Sequence, residues 1–416
     1  MAFNQSKLVE NIFSMVSLRA LEYVLSFILV PYLLIVLGPE KMGAIVFSQS
    51  VMVYLVLISS YGFNLTAPRA LASSDSSNYA HIFSLYMYGS IVLGVLSTIV
   101  LTLGGILYRY FGYDLDLPLY IATYTAVIGN IIFPIWFFQG IQEMRYITIL
   151  NLVGRFICLF GIFILVKGPN DYVLAALFQS CTPCIAGIIS LIILTRRFTS
   201  LWTIPSFSSL LKIYKEGWLI FLSTITINLY TTTSIIILGT LTNHTVVGYY
   251  SAADKLLGCI RRMVSAVNDA VYPHVNILLK KSYTQGIIFL KKQLYIYILF
   301  GFCGGLILLL WGDKILLPLL GESYYDSIIL FKIMSFIPMI VAMSNVLGYE
   351  TMLSLHMESV YSKILISAAI VSLIIIWPLT YYYGGVGTAI TTVITELFVT
   401  ISMGYIIYRN KIYSIK

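Results

Sequence analysis

The segment SAADKLLGCIRRMVSAVNDAVYP, residues 251–273, concentrates charge in a chain of which only 10% of residues are charged. On a helical wheel its polar residues share an arc of about 140°, and its Leu, Ile, Val and Met residues cover the rest. The polar face carries three cations, Lys255, Arg261 and Arg262. Ammonium and guanidinium groups bind anions such as phosphate through charge-assisted hydrogen bonds. The segment therefore predicts an anion-binding face on a helix.

The same residues also fit a structural ion-pair seam, in which Asp254 and Asp269 neutralise Lys255 and Arg262 against another helix. The two aspartates leave one positive charge uncompensated, and the cations lie nearer the middle of the segment than Asp269 does. We interpret this balance as favouring an anionic solute.

Ionisable residues in other apolar segments are further candidates. Arg19 and Glu22 are one turn apart, which fits either a local ion pair or a functional pair. Arg155 fits cavity lining and snorkelling equally well. Glu396 lies among threonines in the middle of an apolar segment, where a carboxylate suits a cavity or proton coupling. By chemistry alone, Glu22, Asp269 and Glu396 are candidate proton or sodium sites.

The solvent around these side chains follows from the composition. Hydrophobic residues make up 59% of the chain and the mean hydropathy is +0.92, far above the values of soluble domains. We therefore predict an all-α polytopic membrane protein. Twelve apolar segments are long enough to span a bilayer. They cover approximately residues 14–36, 43–60, 83–108, 119–139, 146–166, 172–195, 217–240, 248–272, 287–311, 328–348, 360–382 and 384–408.

The Lys and Arg residues of the connections predict that both termini are cytoplasmic. With that orientation, the connections on the other side of the membrane hold only four basic residues, Lys41, Arg109, Lys167 and Lys314. Residues 1–13 lack a cleavable signal and are expected to remain as a cytoplasmic tail. The net charge of +8 is thus a topology signal, and no nucleic-acid partner is expected.

The basic connections around residues 196–215 and 280–292 are both expected to face the cytoplasm, which requires an even number of crossings between them. Residues 219–241 supply one crossing, so the charged segment must supply the other. An arginine at the bilayer centre costs about 2.5 to 3.5 kcal/mol even on the lenient insertion scale. A polar face several turns long is therefore expected to line a water-filled cavity.

An internal repeat predicts how the spans are grouped. Gly43 and Pro68 are separated by the same number of residues as Gly248 and Pro273. The second pair follows the first at a distance of about half the chain. This repeat predicts two parallel lobes of six spans each, residues 1–203 and 204–416, with the site between them.

A membrane-embedded enzyme, such as a glycosyltransferase or a polymerase, is the class of protein that competes with a transporter. Asp114 and Asp116 have the spacing of a metal-binding carboxylate pair, but they are more typical of solvated loop charges. The connections leave no room for a catalytic domain, and the sequence lacks a phosphate-binding P-loop. We expect no cofactor and no metal. A small-molecule exporter remains a second alternative, although it predicts an acidic cavity.

Four stretches of the chain resemble the Wzx-type O-antigen flippases of the multidrug, oligosaccharidyl-lipid and polysaccharide exporter superfamily. They are residues 31–72, 133–155, 247–263 and 319–348, including VGYYSAADKLLGCIRRM and LLGESYYDSIILFKIMSFIPMIVAMSNVLG. The resemblance covers essentially the whole chain, with the four stretches in the same order.

The resemblance implies a flippase of lipopolysaccharide biosynthesis with two six-helix lobes around a central cavity. Its substrate would be undecaprenyl-pyrophosphate-linked O-antigen repeat units, moved by alternating access from the cytoplasmic to the periplasmic leaflet of the bacterial inner membrane. Its partners would be membrane lipid, an O-antigen polymerase and a chain-length regulator. The matching residues of the cationic lumen are Arg19, Lys255, Arg261 and Arg262, with Arg155 as an addition.

Sugar substrates direct attention to tyrosines, because aromatic rings pack against sugar faces. The chain has 32 tyrosines, and most are expected at the membrane interfaces. Tyr249, Tyr250 and Tyr272 belong to the charged segment or its edge, and they are the candidate sugar contacts.

Overall fold

The computed structural model describes residues 5–75, 78–112, 114–198 and 202–413; within these ranges the side chains of 5–24, 26, 27, 227 and 230 are left out. Every regular element in the described ranges is a helix. The first seven α-helices are α1 (Gln5–Ser60), α2 (Phe63–Ala72), α3 (Tyr79–Tyr110), α4 (Leu117–Ile132), α5 (Ile135–Gly140), α6 (Met144–Leu165) and α7 (Tyr172–Arg197).

The second half of the chain is also helical. Its α-helices are α8 (Phe207–Thr231), α9 (Thr233–Leu241), α10 (His244–Lys281), α11 (Tyr283–Leu320), α12 (Ser327–Ile333), α13 (Ile337–Ser344) and α14 (Glu358–Arg409). A π-helix, Asn345–Met352, continues directly from α13. Short 3₁₀ turns precede α7 and α12.

Apolar helices identify a multi-pass membrane protein. Eight helical stretches of the described chain are long and apolar enough to cross a bilayer. They are Ile28–Ala72, Tyr79–Tyr110, Leu117–Gly140, Met144–Leu165, Pro169–Arg197, Tyr283–Leu320, Ser327–Met352 and Glu358–Arg409. The all-α class is confirmed, whereas the count of twelve spans and the two-lobe repeat stay predictions.

The longest of these apolar helices reverses its direction. If α14 were straight, its 52 residues would be about 78 Å long, more than twice the thickness of the hydrocarbon core of a bilayer. The hydroxyl oxygens of Thr380 and Thr388 are 2.9 Å apart, although eight residues of straight helix would separate them by about 12 Å. Between them Gly384 has φ 53° and ψ −130°. Therefore α14 is a helical hairpin that turns at Gly384.

This turn predicts a stability defect for Gly384→Ala. The positive φ is a conformation that side chains with a Cβ atom adopt at a cost of about 1–3 kcal/mol. A lower unfolding midpoint in a thermal scan of the detergent-solubilised protein is the expected result. Gly404→Ala on the same helix is the control, because its added Cβ would lie 3.9 Å from its nearest neighbour, Leu347. Equal midpoints for the two variants would contradict the turn.

The chain forms two compact units. The N-terminal unit comprises Met1–Val24 and Ser48–Asn228, and the C-terminal unit comprises Leu25–Phe47 and Leu229–Lys416. Aromatic residues dominate the core of the N-terminal unit, including Phe63, Phe83, Tyr86, Trp136 and Phe137. Aliphatic residues and methionines dominate that of the C-terminal unit, including Val275, Ile287, Leu290, Val346 and Met403. The predicted division into lobes 1–203 and 204–416 stays a prediction.

In the N-terminal unit, Asp116 has a structural role. Its carboxylate accepts a hydrogen bond from the backbone N–H of Leu119 at 3.3 Å, which caps the start of α4. It also accepts one from the hydroxyl of Tyr172 at 2.6 Å, which ties α4 to α7. Asp114 is exposed. These two hydrogen bonds give the Asp116 carboxylate of the Asp114–Asp116 pair a structural role.

In the C-terminal unit, the second part of α1 packs against the start of α10 with backbone on backbone. A Cβ atom added to Gly43 would overlap the carbonyl oxygen of His244 and lie 2.6 Å from the backbone nitrogen of Gly248. A Cβ atom added to Gly248 would overlap the carbonyl oxygen of Pro39. The two glycines that define the sequence repeat therefore meet at one helix crossing.

Candidate functional site

A polar cavity of about 220 Å³ lies in the C-terminal unit, among α8, α9, α10 and α14. All of its lining residues except Ile235 are polar or charged. The others are Thr231, Ser234, Tyr250, Asp254, Arg261, Ser372, Thr392, Thr395 and Glu396. We call it the acidic cavity, because its two carboxylates outnumber its one cation.

A second, more open cavity of about 380 Å³ lies on the charged face of α10. Its lining residues are Asp254, Lys255, Gly258, Arg261, Arg262, Ser265, Val341 and Asn345. We call it the basic cavity, because three cations stand against one carboxylate. Lys255, Arg261 and Arg262, which the sequence singles out, are therefore together in one cavity.

Arg261 and Asp254 belong to both cavities and form an ion pair. Nη2 of Arg261 donates to Oδ1 of Asp254 at 2.6 Å, across seven residues of the same helix. The guanidinium lies along α10 beside Gly258, where an added Cβ would be 3.4 Å from Nη2. Both side chains are about one quarter exposed, at 24% and 30%. The pair is thus reachable by a polar ligand.

Helix α14 supplies the opposite wall of the acidic cavity. Tyr250 is buried, and its hydroxyl is 3.0 Å from that of Thr392. Glu396 follows Thr392 by one turn and lies within electrostatic reach of Arg261 and Asp254. A carboxylate can bind a proton, and oxygen atoms are the ligands that hard cations prefer. Of the candidate coupling residues, Glu396 is therefore in a suitable chemical setting.

Asp269 and Arg155 are not among the residues that line these two cavities. Asp269 is exposed on α10, and Arg155 is half-buried on α6 in the N-terminal unit. The side chains of Arg19 and Glu22 are outside the described residues. Their assigned roles stay predictions.

Two of the three candidate sugar-binding tyrosines contact other tyrosines. Tyr249 meets Tyr324 edge to face with ring centroids 6.3 Å apart. Tyr272 stacks on Tyr349 at 4.5 Å. Of the three, only Tyr250 lines one of the two cavities.

Sequence reasoning missed two features of the C-terminal unit. One is Ser372, which lines the acidic cavity from the first half of α14. The other is Glu350, a fully buried carboxyl in the π-helix. The predicted apolar segment 328–348 ends just before Glu350, so the sequence places this carboxyl outside the predicted span. A single acidic residue at the edge of an apolar run was the available signal.

Known structures share this fold. The lipid II flippase MurJ in an inward closed conformation matches with a TM-score of 0.72 and 12% identity, covering 97% of this chain and 89% of that chain. A multidrug resistance MATE family transporter of the MOP superfamily, in an inward-facing conformation, matches with a TM-score of 0.67 and 15% identity over 94% of each chain. The chain thus shares the fold of these two proteins.

Sequence comparisons identify the family. Residues 8–276 match the family described as "Polysaccharide biosynthesis protein". A protein of Escherichia coli (strain K12) is 32% identical over 411 residues, covering 98% of this chain and 99% of that protein. One of Shigella dysenteriae is 30% identical over 397 residues, covering 95% and 98%. Both are named "Putative O-antigen transporter". The chain belongs to the polysaccharide biosynthesis protein family, which confirms the resemblance seen in the sequence.

Proposed function

We propose that this protein is a flippase that moves undecaprenyl-pyrophosphate-linked O-antigen repeat units from the cytoplasmic to the periplasmic leaflet of the bacterial inner membrane. The names of its relatives support an O-antigen cargo. The observation that carries the proposal is the basic cavity, with Lys255, Arg261 and Arg262 side by side. An O-antigen polymerase and a chain-length regulator would use the delivered product.

The basic cavity suits a pyrophosphate because of its charge and its donors. Desolvating the phosphates is the main electrostatic barrier to moving the head group through the membrane. With Asp254 as its only carboxylate, the cavity keeps an excess of two positive charges. Each arginine offers a planar fork of donors to phosphate oxygens, and Lys255 adds a flexible point charge. These groups would replace the water that the phosphates lose.

The acidic cavity supports a coupling role for Glu396. A proton or sodium ion bound there would weaken the hold of the carboxylates on Arg261. Arg261 would then be released toward the phosphate in the basic cavity. The ion pair of Arg261 with Asp254 would in this way join ion binding to substrate binding during alternating access.

Helix geometry supports twelve spans. Gly38, with φ 71° and ψ 172°, breaks α1 and would divide it into two spans. Gly384 divides α14 in the same way. The pair α8–α9 and the charged helix α10 would supply the two spans that hydropathy alone does not reveal. Together with the six other apolar stretches they give the twelve spans, with both termini in the cytoplasm.

Transport is favoured over catalysis. The connection from α7 to α8, between Arg197 and Phe207, is short, which leaves no space there for a catalytic domain. A second transport function, export of a small organic cation, is favoured by one observation. The acidic cavity has carboxylates and a volume of about 220 Å³, which suit such a compound.

Leaflet-resolved transport in proteoliposomes tests the proposal. The probe is a fluorescent oligosaccharide on undecaprenyl pyrophosphate, and a membrane-impermeant glycosidase reports the outer leaflet. We expect the protein to expose the inner pool to the enzyme, whereas protein-free vesicles do not. Unchanged probe release with and without protein would refute the proposal, and release of a small organic cation in a parallel arm would support the exporter. A probe whose sugar chain is lengthened would instead reveal a polymerase.

A further inference from the structure

A buried polar cluster surrounds the π-helix of the C-terminal unit. Glu350 is 0% exposed, Asn268 2% and Gln293 8%. The amide nitrogen of Gln293 donates to Oε1 of Glu350 at 2.8 Å. The hydroxyl of Tyr297 donates to Oδ1 of Asn268 at 2.6 Å. None of these residues lines the acidic or the basic cavity.

Three buried atoms of this cluster have no hydrogen-bond partner in the part of the chain that the structure describes. They are Oε2 of Glu350, Oε1 of Gln293 and Nδ2 of Asn268. Among the described residues, no Lys, Arg or His forms an ion pair with Glu350. A buried carboxylate without a counter-charge costs several kcal/mol. Glu350 therefore needs a positive ligand.

A proton is the ligand that fits the free atoms. Protonated at Oε2, the Glu350 carboxyl would become a donor, and the free acceptor of Gln293 belongs to the amide that already binds Oε1. A carboxylic acid and an amide then form a closed pair of two hydrogen bonds. The one remaining donor, Nδ2 of Asn268, needs only a water molecule.

The groups that face Glu350 do not supply a competing charge. Gln293 and Tyr297 face it from α11, Asn268 belongs to the same network from α10, and Tyr413 approaches from beyond the end of α14. Amides are neutral, and phenols are neutral near pH 7. The charge of the cluster therefore changes only with Glu350.

The backbone around Glu350 is itself unusual. In the π-helix Asn345–Met352, the N–H of Leu353 bonds to the carbonyl of Gly348 at 3.2 Å, five residues back. Such segments are rare and occur frequently at functional sites. Loss of the proton would leave a charged carboxylate in a buried site, so the π-helix would have to shift or admit water.

We propose that Glu350 is a reversible proton-binding site, distinct from the two cavities, that controls the conformation of the π-helix. Proton binding itself is independent of the cargo. Its link to transport rests on the function proposed above, in which this proton would be one that drives alternating access.

Infrared difference spectroscopy of the purified protein in lipid nanodiscs tests the site directly. We expect a carboxylic acid C=O band that appears on acidification, shifts in D₂O and is missing in Glu350→Gln. This variant keeps the size and the neutral charge of the acid, so it should retain the fold. The site is overturned if Glu350→Gln leaves the spectrum unchanged, or if the band does not titrate.

Two further arms keep the outcome unambiguous. Gln293→Leu should move the C=O band, because the acid loses its amide partner. An unmoved band would contradict the pairing. This variant also tests the site if Glu350→Gln does not fold. Adding sodium at constant pH should leave the C=O band in place. If sodium abolished the band, the ligand of Glu350 would be a metal ion and not a proton. The spectra do not depend on the cargo, so failure of the flippase assay would leave this result standing.

Discussion

Arg261→Gln is expected to lower the rate of flipping of the pyrophosphate-linked oligosaccharide by about 10- to 100-fold. Hydrogen bonds to charged groups contribute about 1.5–3 kcal/mol, and about 1.4 kcal/mol is tenfold in rate. Arg261 lines both cavities and holds Asp254 at 2.6 Å, so its loss removes a phosphate donor and frees a carboxylate beside the substrate. The leaflet-resolved vesicle assay measures the rate.

Three companion variants separate charge from folding. Arg409→Gln changes an exposed arginine in the last turn of α14 and should flip at the wild-type rate. Arg261→Lys keeps the charge without the fork and should fall between wild type and Arg261→Gln. Adding Asp254→Asn to Arg261→Gln should restore part of the rate, since it removes the freed carboxylate. Wild-type flipping by Arg261→Gln would contradict the assignment of the basic cavity.

Gly43→Ala is expected to destabilise the protein by about 3 kcal/mol or more, the upper range for overpacking. The added Cβ would overlap the carbonyl oxygen of His244, which is backbone of α10 and cannot rotate away as a side chain can. The helices would have to separate along their crossing. A large fall in the unfolding midpoint, with loss of monodisperse protein in size-exclusion chromatography, is the result to look for.

Gly304→Ala is the matched control for this crossing. It lies in α11 of the same unit with open space around its Cβ position. Alanine is a better helix former than glycine by about 0.5–1 kcal/mol, so this variant should be as stable as wild type or slightly more. Gly248→Ala should resemble Gly43→Ala because the contact is mutual. Equal stability of Gly43→Ala and Gly304→Ala would disprove the close approach.

Apolar length and glycine position predicted much of the fold. The gap between segments 360–382 and 384–408 is where α14 turns, because the positive φ of Gly384 is a conformation that glycine adopts readily. The repeat of Gly43 and Gly248 marks a real contact, although its spacing did not say that the two glycines would touch. Such contacts depend on the path of the whole chain.

The site was predictable along one helix and no further. The wheel of α10 grouped Lys255, Arg261 and Arg262 correctly, because helix periodicity fixes which residues share a face. It did not predict the ion pair of Arg261 with Asp254, since the spacing of seven exceeds the usual three or four residues. The stacking of Tyr272 on Tyr349 was not predictable either, because only the folded chain creates this contact.

The contact of phosphate with these arginines can be measured by solid-state NMR. The protein, labelled with ¹⁵N in its arginine side chains, is reconstituted with the undecaprenyl-pyrophosphate-linked oligosaccharide, and dephasing of the ³¹P signal by ¹⁵N reports proximity. We predict dephasing in the wild type, its loss in the double variant Arg261→Lys with Arg262→Lys, and its retention in Arg409→Lys. Absence of dephasing in the wild type, or undiminished dephasing in the double variant, would contradict the account.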